Sequence, residues 1–195
     1  MTTNSNPFNN DKKSSKSYLL KDGSLIDVVN KKILKNDLFI KNQIIEKIGG
    51  NLSSKIDKDT EIIECKNLFI SPGFIDMRVN ISEPGNEHKE TIKTASMSAA
   101  SGGVTSIICM PNTVPPIDQP AIIQSIQRKA REVALSKVFC TGCITRGAYG
   151  KEICELQLMN ESGALGFTDG NKSVANARVM KRALNYAKSF NGLII

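Results

Sequence analysis

The chain contains no tryptophan and only one histidine, His88, and aromatic residues make up just 5% of its 195 residues. A single histidine cannot build a metal centre within the chain, because a structural zinc takes four nitrogen or sulfur ligands. His88 sits in Glu87-His88-Lys89-Glu90 and reads as a surface residue. A Ser-His-Asp triad would have to use that one imidazole, and no Gly-x-Ser-x-Gly elbow occurs. Aromatics for stacking bases are scarce and the lysines are scattered, so the net charge of +7 does not make a nucleic-acid interface. No apolar run approaches the ~20 residues of a membrane span. The first 17 residues are polar, without the apolar centre of a secretory leader, so cytoplasmic residence is expected. Disulfides are excluded on the same ground. The five cysteines (65, 109, 140, 143 and 154) are odd in number. Cys140-Thr-Gly-Cys143 has zinc-ribbon spacing but no second such pair, and cysteines inside apolar strands read as small buried hydrophobes.

What is present is a soluble globular composition, 40% hydrophobic and 23% charged. Residues 1–17, rich in Asn, Ser and Lys, are expected to form a disordered tail. Closely spaced β-like segments follow at 24–29, 37–40, 42–48, 62–65 and 67–70, which predicts a small antiparallel β unit over 18–70.

After Ser71-Pro72-Gly73 the pattern changes to strand alternating with helix. Buried strands are expected at 74–79, 104–110, 137–144 and 164–168, with a fifth beginning at 192. Helices are expected at 90–101, 118–135, 153–162 and 176–189. Asp118 is the expected N-cap of the second, with Pro120 in its first turn. Val179, Met180, Ala183, Leu184 and Ala187 mark the inward face of the last. Such βα units make a parallel sheet, and both an open doubly wound sheet and a (β/α)8 barrel fit. No Gly-x-Gly-x-x-Gly follows the first strand, which excludes a dinucleotide fingerprint.

Phe74-Ile75-Asp76-Met77-Arg78-Val79-Asn80-Ile81-Ser82-Glu83-Pro84-Gly85 resembles the metal-binding strand of dihydroorotases, Asp-x-His-x-His-hydrophobic-Arg-x-Pro-Gly. The resemblance continues through "DLFIKNQIIEKIG", "SPGFIDM", "EPGNEHKETIKTASMSAASGGVTSIICMPNT", "GFTDG" and "VMKRALNYA", in the family's order. It implies the amidohydrolase superfamily and an α/β architecture: a small β-sandwich domain (18–70) plus the first half of a (β/α)8 barrel (71–195), truncated at strand five. A complete barrel takes about 250 residues. A half-barrel on its own is expected to expose sheet edges and to form an oligomer.

The same resemblance implies what has been lost. Arg78 and Asn80 stand where two metal-ligating histidines belong, and Ser82 where a substrate-gripping arginine belongs. A guanidinium has no lone pair to give, and a carboxamide oxygen is a poor substitute for imidazole at zinc. Asp169 matches a strand-four carboxylate that helps hold the metal pair, with Gly170 in place of a second aspartate; Asp-Gly equally reads as a turn. Asn112 matches a substrate-contacting asparagine, here vestigial. Arg78 is expected to point into the barrel mouth and pair with Asp169 or Asp76, taking over the metal's charge. No catalytic residue and no cofactor are expected, although active relatives use zinc. The implied role is an inactive dihydroorotase-like protein of pyrimidine biosynthesis, a structural partner of aspartate carbamoyltransferase. The alternative is an active dihydroorotase or other cyclic-amide hydrolase with altered ligands.

Overall fold

The computed structural model describes residues 16–53 and 56–195. The chain divides into two compact units, one ending at Pro72 and the other beginning at Gly73. Of the expected tail, residues 1–15 lie outside the described residues. Ser17, assigned to that tail from its polar surroundings, is instead buried and opens the first strand.

The first unit is a five-stranded sheet of β1 (Ser17–Asp27), β2 (Lys32–Lys41), β3 (Ile44–Gly49), β4 (Glu61–Glu64) and β5 (Phe69–Ile70). Strands β1 to β3 form an antiparallel meander. The turn between β1 and β2 is held by Asp27, whose Oδ1 accepts the backbone N–H groups of Val29 and Asn30. Asn42 and Gln43 link β2 to β3 with φ of 52° and 64°, the conformation that a two-residue hairpin loop requires. Strands β4 and β5 pair parallel to β1, so the sheet is mixed rather than antiparallel as expected. Side-chain alternation marks a strand but not its direction, which here follows from the long return between β3 and β4. Leu19, Phe39 and Leu52 form the small core. Buried Asp37 fastens it, accepting the N–H groups of Asp22 at 2.9 Å and Leu52 at 2.7 Å.

The second unit alternates β6 (Phe74–Val79), α1 (Ile92–Ser101), β7 (Val104–Cys109), α2 (Pro120–Val133), β8 (Lys137–Gly142), α3 (Leu156–Glu161), β9 (Ala164–Phe167) and α4 (Ala177–Ser189). The four strands are parallel and lie in sequential order β6-β7-β8-β9. A doubly wound sheet reverses its order at a switch point, so that both faces carry helices. Monotonic order with right-handed crossovers puts every helix on one face, which is how a barrel wall is built. Leu193–Ile195 add to the outer side of β9: the Phe167 N–H donates to the Leu193 oxygen and the Ile195 N–H to the Phe167 oxygen, both at 2.9 Å. The architecture is α/β with two sheets and interspersed helices, consistent with a β-sandwich and a partial TIM-type barrel.

Sequence chemistry accounts for the helices. Thr91 caps α1, accepting the Thr94 N–H while Thr94 Oγ1 accepts the Thr91 N–H. Asn176 caps α4 through the N–H groups of Arg178 and Val179. Ile123, Ile126 and Ala130 of α2 and Ala183 and Ala187 of α4 pack with Ile107, Val138, Cys140 and Phe167 of the sheet. Three expectations need correction. Asp118 does not cap α2. The cap position is Gln119, and Asp118 Oδ2 instead accepts the Gly147 N–H at 2.9 Å. Leu184, expected inward, is 50% exposed, because α4 buries only its alanine stripe. Strand β6, expected to be buried, is exposed along nearly its whole length, with Met77 at 72%. It is the edge of the described sheet, paired among the described residues with β7 alone, and Phe74 and Ile75 are exposed as well. Among the described residues no helix is long and apolar enough to cross a membrane.

Candidate functional site

In parallel βα architectures, side chains from successive strands converge beyond the strands' C-terminal ends. Here that rim carries Arg78 from β6, Asn112 beyond β7, Ile144 and Thr145 beyond β8, and Asp169 to Lys172 beyond β9.

Asp169 is the buried centre of the rim, 4% exposed. Its Oδ1 accepts the backbone N–H groups of Ile144 and Thr145, each at 2.9 Å, and its Oδ2 accepts the Thr145 hydroxyl. Thr145 Oγ1 in turn accepts the Gly150 N–H at 2.8 Å. A carboxylate offers about four lone-pair directions, and three are spent on joining the end of β8 to the end of β9.

Arg78 and Asn80 are both exposed. The Arg78 side chain makes one hydrogen bond, from Nη2 to Asn171 Oδ1 at 3.5 Å. Asp76 Oδ1 accepts the backbone N–H of Arg78, not its guanidinium. Among the described residues no ion pair includes Arg78. The expected pairing with Asp169 or Asp76 is therefore not made. Asp169 already holds three donors, and Asp76 bends back onto the backbone two residues ahead.

Asn112 is exposed and lies against Gly170: a Cβ added there would come 3.7 Å from Asn112 Cβ and 3.9 Å from its Oδ1. Gly170 has φ of 68°, which favours glycine in this turn. Asn112, Asp169–Asn171 and Arg78 thus form one contiguous surface. Ser82 and His88 lie on the loop between β6 and α1. Ser82 is half-buried, its carbonyl accepting the Asn86 N–H, and His88 is exposed beside Glu87. Glu87 is held below the usual carboxylate range, first by the Gly85 N–H, then by its own N–H, with a smaller contribution from His88.

Pro84 and Gly85 have a role that spacing alone did not reveal. Gly85 has φ of 101°, and a Cβ there would overlap the Val114 carbonyl. The Val114 N–H donates to the Pro84 oxygen at 3.0 Å. The pair clasps the loop that presents Asn112. Thr145 and Asn171 were likewise missed, since nothing local marks either as a partner of a residue more than 20 positions away.

Beneath the rim, Cys143 and Cys154 are buried. Burial is the chief cause pushing both thiols up, with the negative charges of Asp118 and Asp169 adding; Cys154 reaches about 12. Both are therefore neutral thiols near neutral pH, with little of the thiolate a nucleophile needs. Cys109 and Cys140 face each other in register on β7 and β8, also buried. Among the described residues no group of three His, Cys, Asp or Glu is placed to hold a metal ion. The residues at the rim do not fit a divalent metal pair: Arg78 repels it, Asn80 is a weak ligand, and Asp169 is engaged by protein donors.

Residues 67–195 match the family described as "Dihydro-orotase-like". The dihydroorotase of Caldicellulosiruptor saccharolyticus is 41% identical over 173 residues, covering 89% of this chain and 40% of that protein. The dihydroorotase of Aquifex aeolicus is 39% identical over 169 residues, covering 87% and 39% respectively. The chain spans about two fifths of the length of these curated relatives. Among solved structures, the L-hydantoinase (dihydropyrimidinase) of Arthrobacter aurescens superposes with a TM-score of 0.77 at 20% identity, over 91% of this chain and 39% of that one. A D-hydantoinase superposes with a TM-score of 0.70 at 22% identity over the same shares. At such identities these structures establish the fold.

Proposed function

The chain belongs to the dihydroorotase-like family, and within it we propose a member that does not hydrolyse or close the dihydroorotate ring. The observation that carries this reading is the rim itself. The two positions matching metal-ligating histidines hold Arg78 and Asn80, and the remaining carboxylate, Asp169, is spent on Ile144 and Thr145. Without a metal, water is not activated near neutral pH by the family's means, and the rim's thiols are neutral. Asn112 is a vestigial substrate contact in this reading, since its companion arginine is Ser82.

The use left to such a protein is structural. We place it in the cytoplasm, in pyrimidine biosynthesis, as a partner of aspartate carbamoyltransferase. A shift in elution when the two purified proteins are mixed checks the partnership; independent elution contradicts it. The catalytic part is tested by a dihydroorotate turnover assay with zinc supplied. No turnover above the buffer rate is expected, and zinc-dependent turnover that is lost in Asp169→Ala would overturn the reading.

A further inference from the structure

We propose that the outer face of α4 is a docking surface for an acidic helical segment of a partner protein. The proposal does not depend on whether the rim turns over dihydroorotate.

The basic residues are scattered along the sequence, but helical geometry gathers four of them, Arg178, Lys181, Arg182 and Lys188, on α4. At about 100° per residue they fall within about 120° of the helix circumference. All four are exposed. Asn185 lies among them, also exposed, and Leu184 borders them at 50% exposure. The opposite face, with Ala183 and Ala187, is buried in the core of the second unit. From Arg178 to Lys188 the stripe is about 15 Å long.

This charge is not balanced locally. A solvated helix face usually interleaves acids with bases, and pairs of opposite sign at i,i+4 stabilise it. On α2, Arg128 has Glu132 four residues on. Helix α4 contains no acid, and no Asp or Glu follows Asp169 in the sequence. Its neighbours along the stripe are instead of like sign, Arg178 with Lys181 and with Arg182, at spacings where repulsion destabilises a helix. Arg178 also stands in the first turn, where the helix dipole favours an acid. Among the described residues no ion pair includes any of the four. A surface that works against its own helix in these respects marks a place where opposite charge comes from outside.

The face selects among polyanions. A helix lying in a bilayer surface needs a broad apolar face to bury, and that of α4 is already in the core. Single-stranded nucleic acid needs aromatic rings for stacking, and the exposed face carries none. A duplex needs cations spread over a wider surface, whereas α3, packed beside α4, brings Glu161 and no cation. A partner helix with carboxylates at i, i+3 and i+4 spacing meets the stripe along its length, and one apolar residue covers Leu184.

The test is fluorescence anisotropy of a labelled synthetic peptide titrated with the full chain. The peptide is an alanine-rich helix with one face of glutamates around a central leucine; a second peptide carries glutamine in place of every glutamate. The glutamate peptide is expected to bind saturably, more weakly as salt is raised, and the glutamine peptide not to bind. The double variant Lys181→Gln, Arg182→Gln should weaken binding by about tenfold or more. Lys35→Gln with Lys47→Gln, which removes the same charge from exposed positions of the first unit, should change it by less than about twofold. The urea midpoint of the α4 double variant should be unchanged or raised, because its cations act outside the fold. Absence of saturation, equal binding of the two peptides, equal losses in the two double variants or a lowered urea midpoint would overturn the proposal. So would a DNA duplex or a phosphatidylserine vesicle bound more tightly than the glutamate peptide through the same residues. Should the α4 double variant fail to fold, Lys188→Gln decides alone, with a severalfold loss expected and no loss overturning the proposal. Dihydroorotate turnover would sink the noncatalytic reading and leave this binding unchanged, so the two failures are distinguishable.

Discussion

Asp169 shows how one residue can keep its place and change its work. In sequence it reads as a remnant metal ligand. In the fold it is the buried acceptor for the Ile144 and Thr145 N–H groups and the Thr145 hydroxyl. An unmet buried donor costs about 1–3 kcal/mol, and Asp169→Ala would strand three. That variant is expected to lose on the order of 3 kcal/mol of stability, read from urea unfolding. A loss within experimental error would mean that the carboxylate is not a structural tie. Arg78 makes the complementary point. Its strand and position follow from the sequence, but its partner does not, because whether Asp169 was free depended on residues 24 and 25 positions away.

At the scale of elements, the motif Glu83-Pro84-Gly85 is a joint. Glu83 Oε2 accepts the Ile92 N–H at the start of α1, and Gly85 packs under the Val114 carbonyl of the loop after β7. Gly85→Ala puts a side chain at φ of 101° and against that carbonyl. A cost of about 2 kcal/mol is expected, measurable as a lowered midpoint of thermal unfolding; an unchanged midpoint would show that the loop yields freely. The elements themselves were largely legible. The helices at 92–101, 120–133 and 177–189 follow from apolar periodicity and small-residue faces, each within a few residues of expectation. What escaped was relational. Alternation in 61–64 and 69–70 did not reveal that these strands run parallel to β1. Apolar content in 74–79 did not reveal that the strand lies exposed at the edge of the described sheet. Asp118 looked like a cap by position, yet Gly147, 29 residues on, holds it.

At the scale of the whole molecule, stability should depend on pH on the alkaline side. Cys143 and Cys154 have folded-state pKa values raised above the ordinary thiol range, chiefly by burial, so the folded state holds their protons more tightly than the unfolded one. Their contribution is fully present below about pH 8.5 and is lost as pH rises toward about 12, the value for Cys154. Urea midpoints should therefore fall across that window, and less steeply in Cys154→Ala measured against its own neutral-pH midpoint. An identical alkaline slope in both proteins would contradict this. Family membership, the barrel-type strand order and an engaged Asp169 together support the proposal of a dihydroorotase-like rim that does not hold a metal pair. The most direct test is the zinc content of the purified chain after equilibration with zinc and exhaustive dialysis. Well under one ion per chain is predicted; one or two ions per chain, lost in Asp169→Ala, would contradict the account.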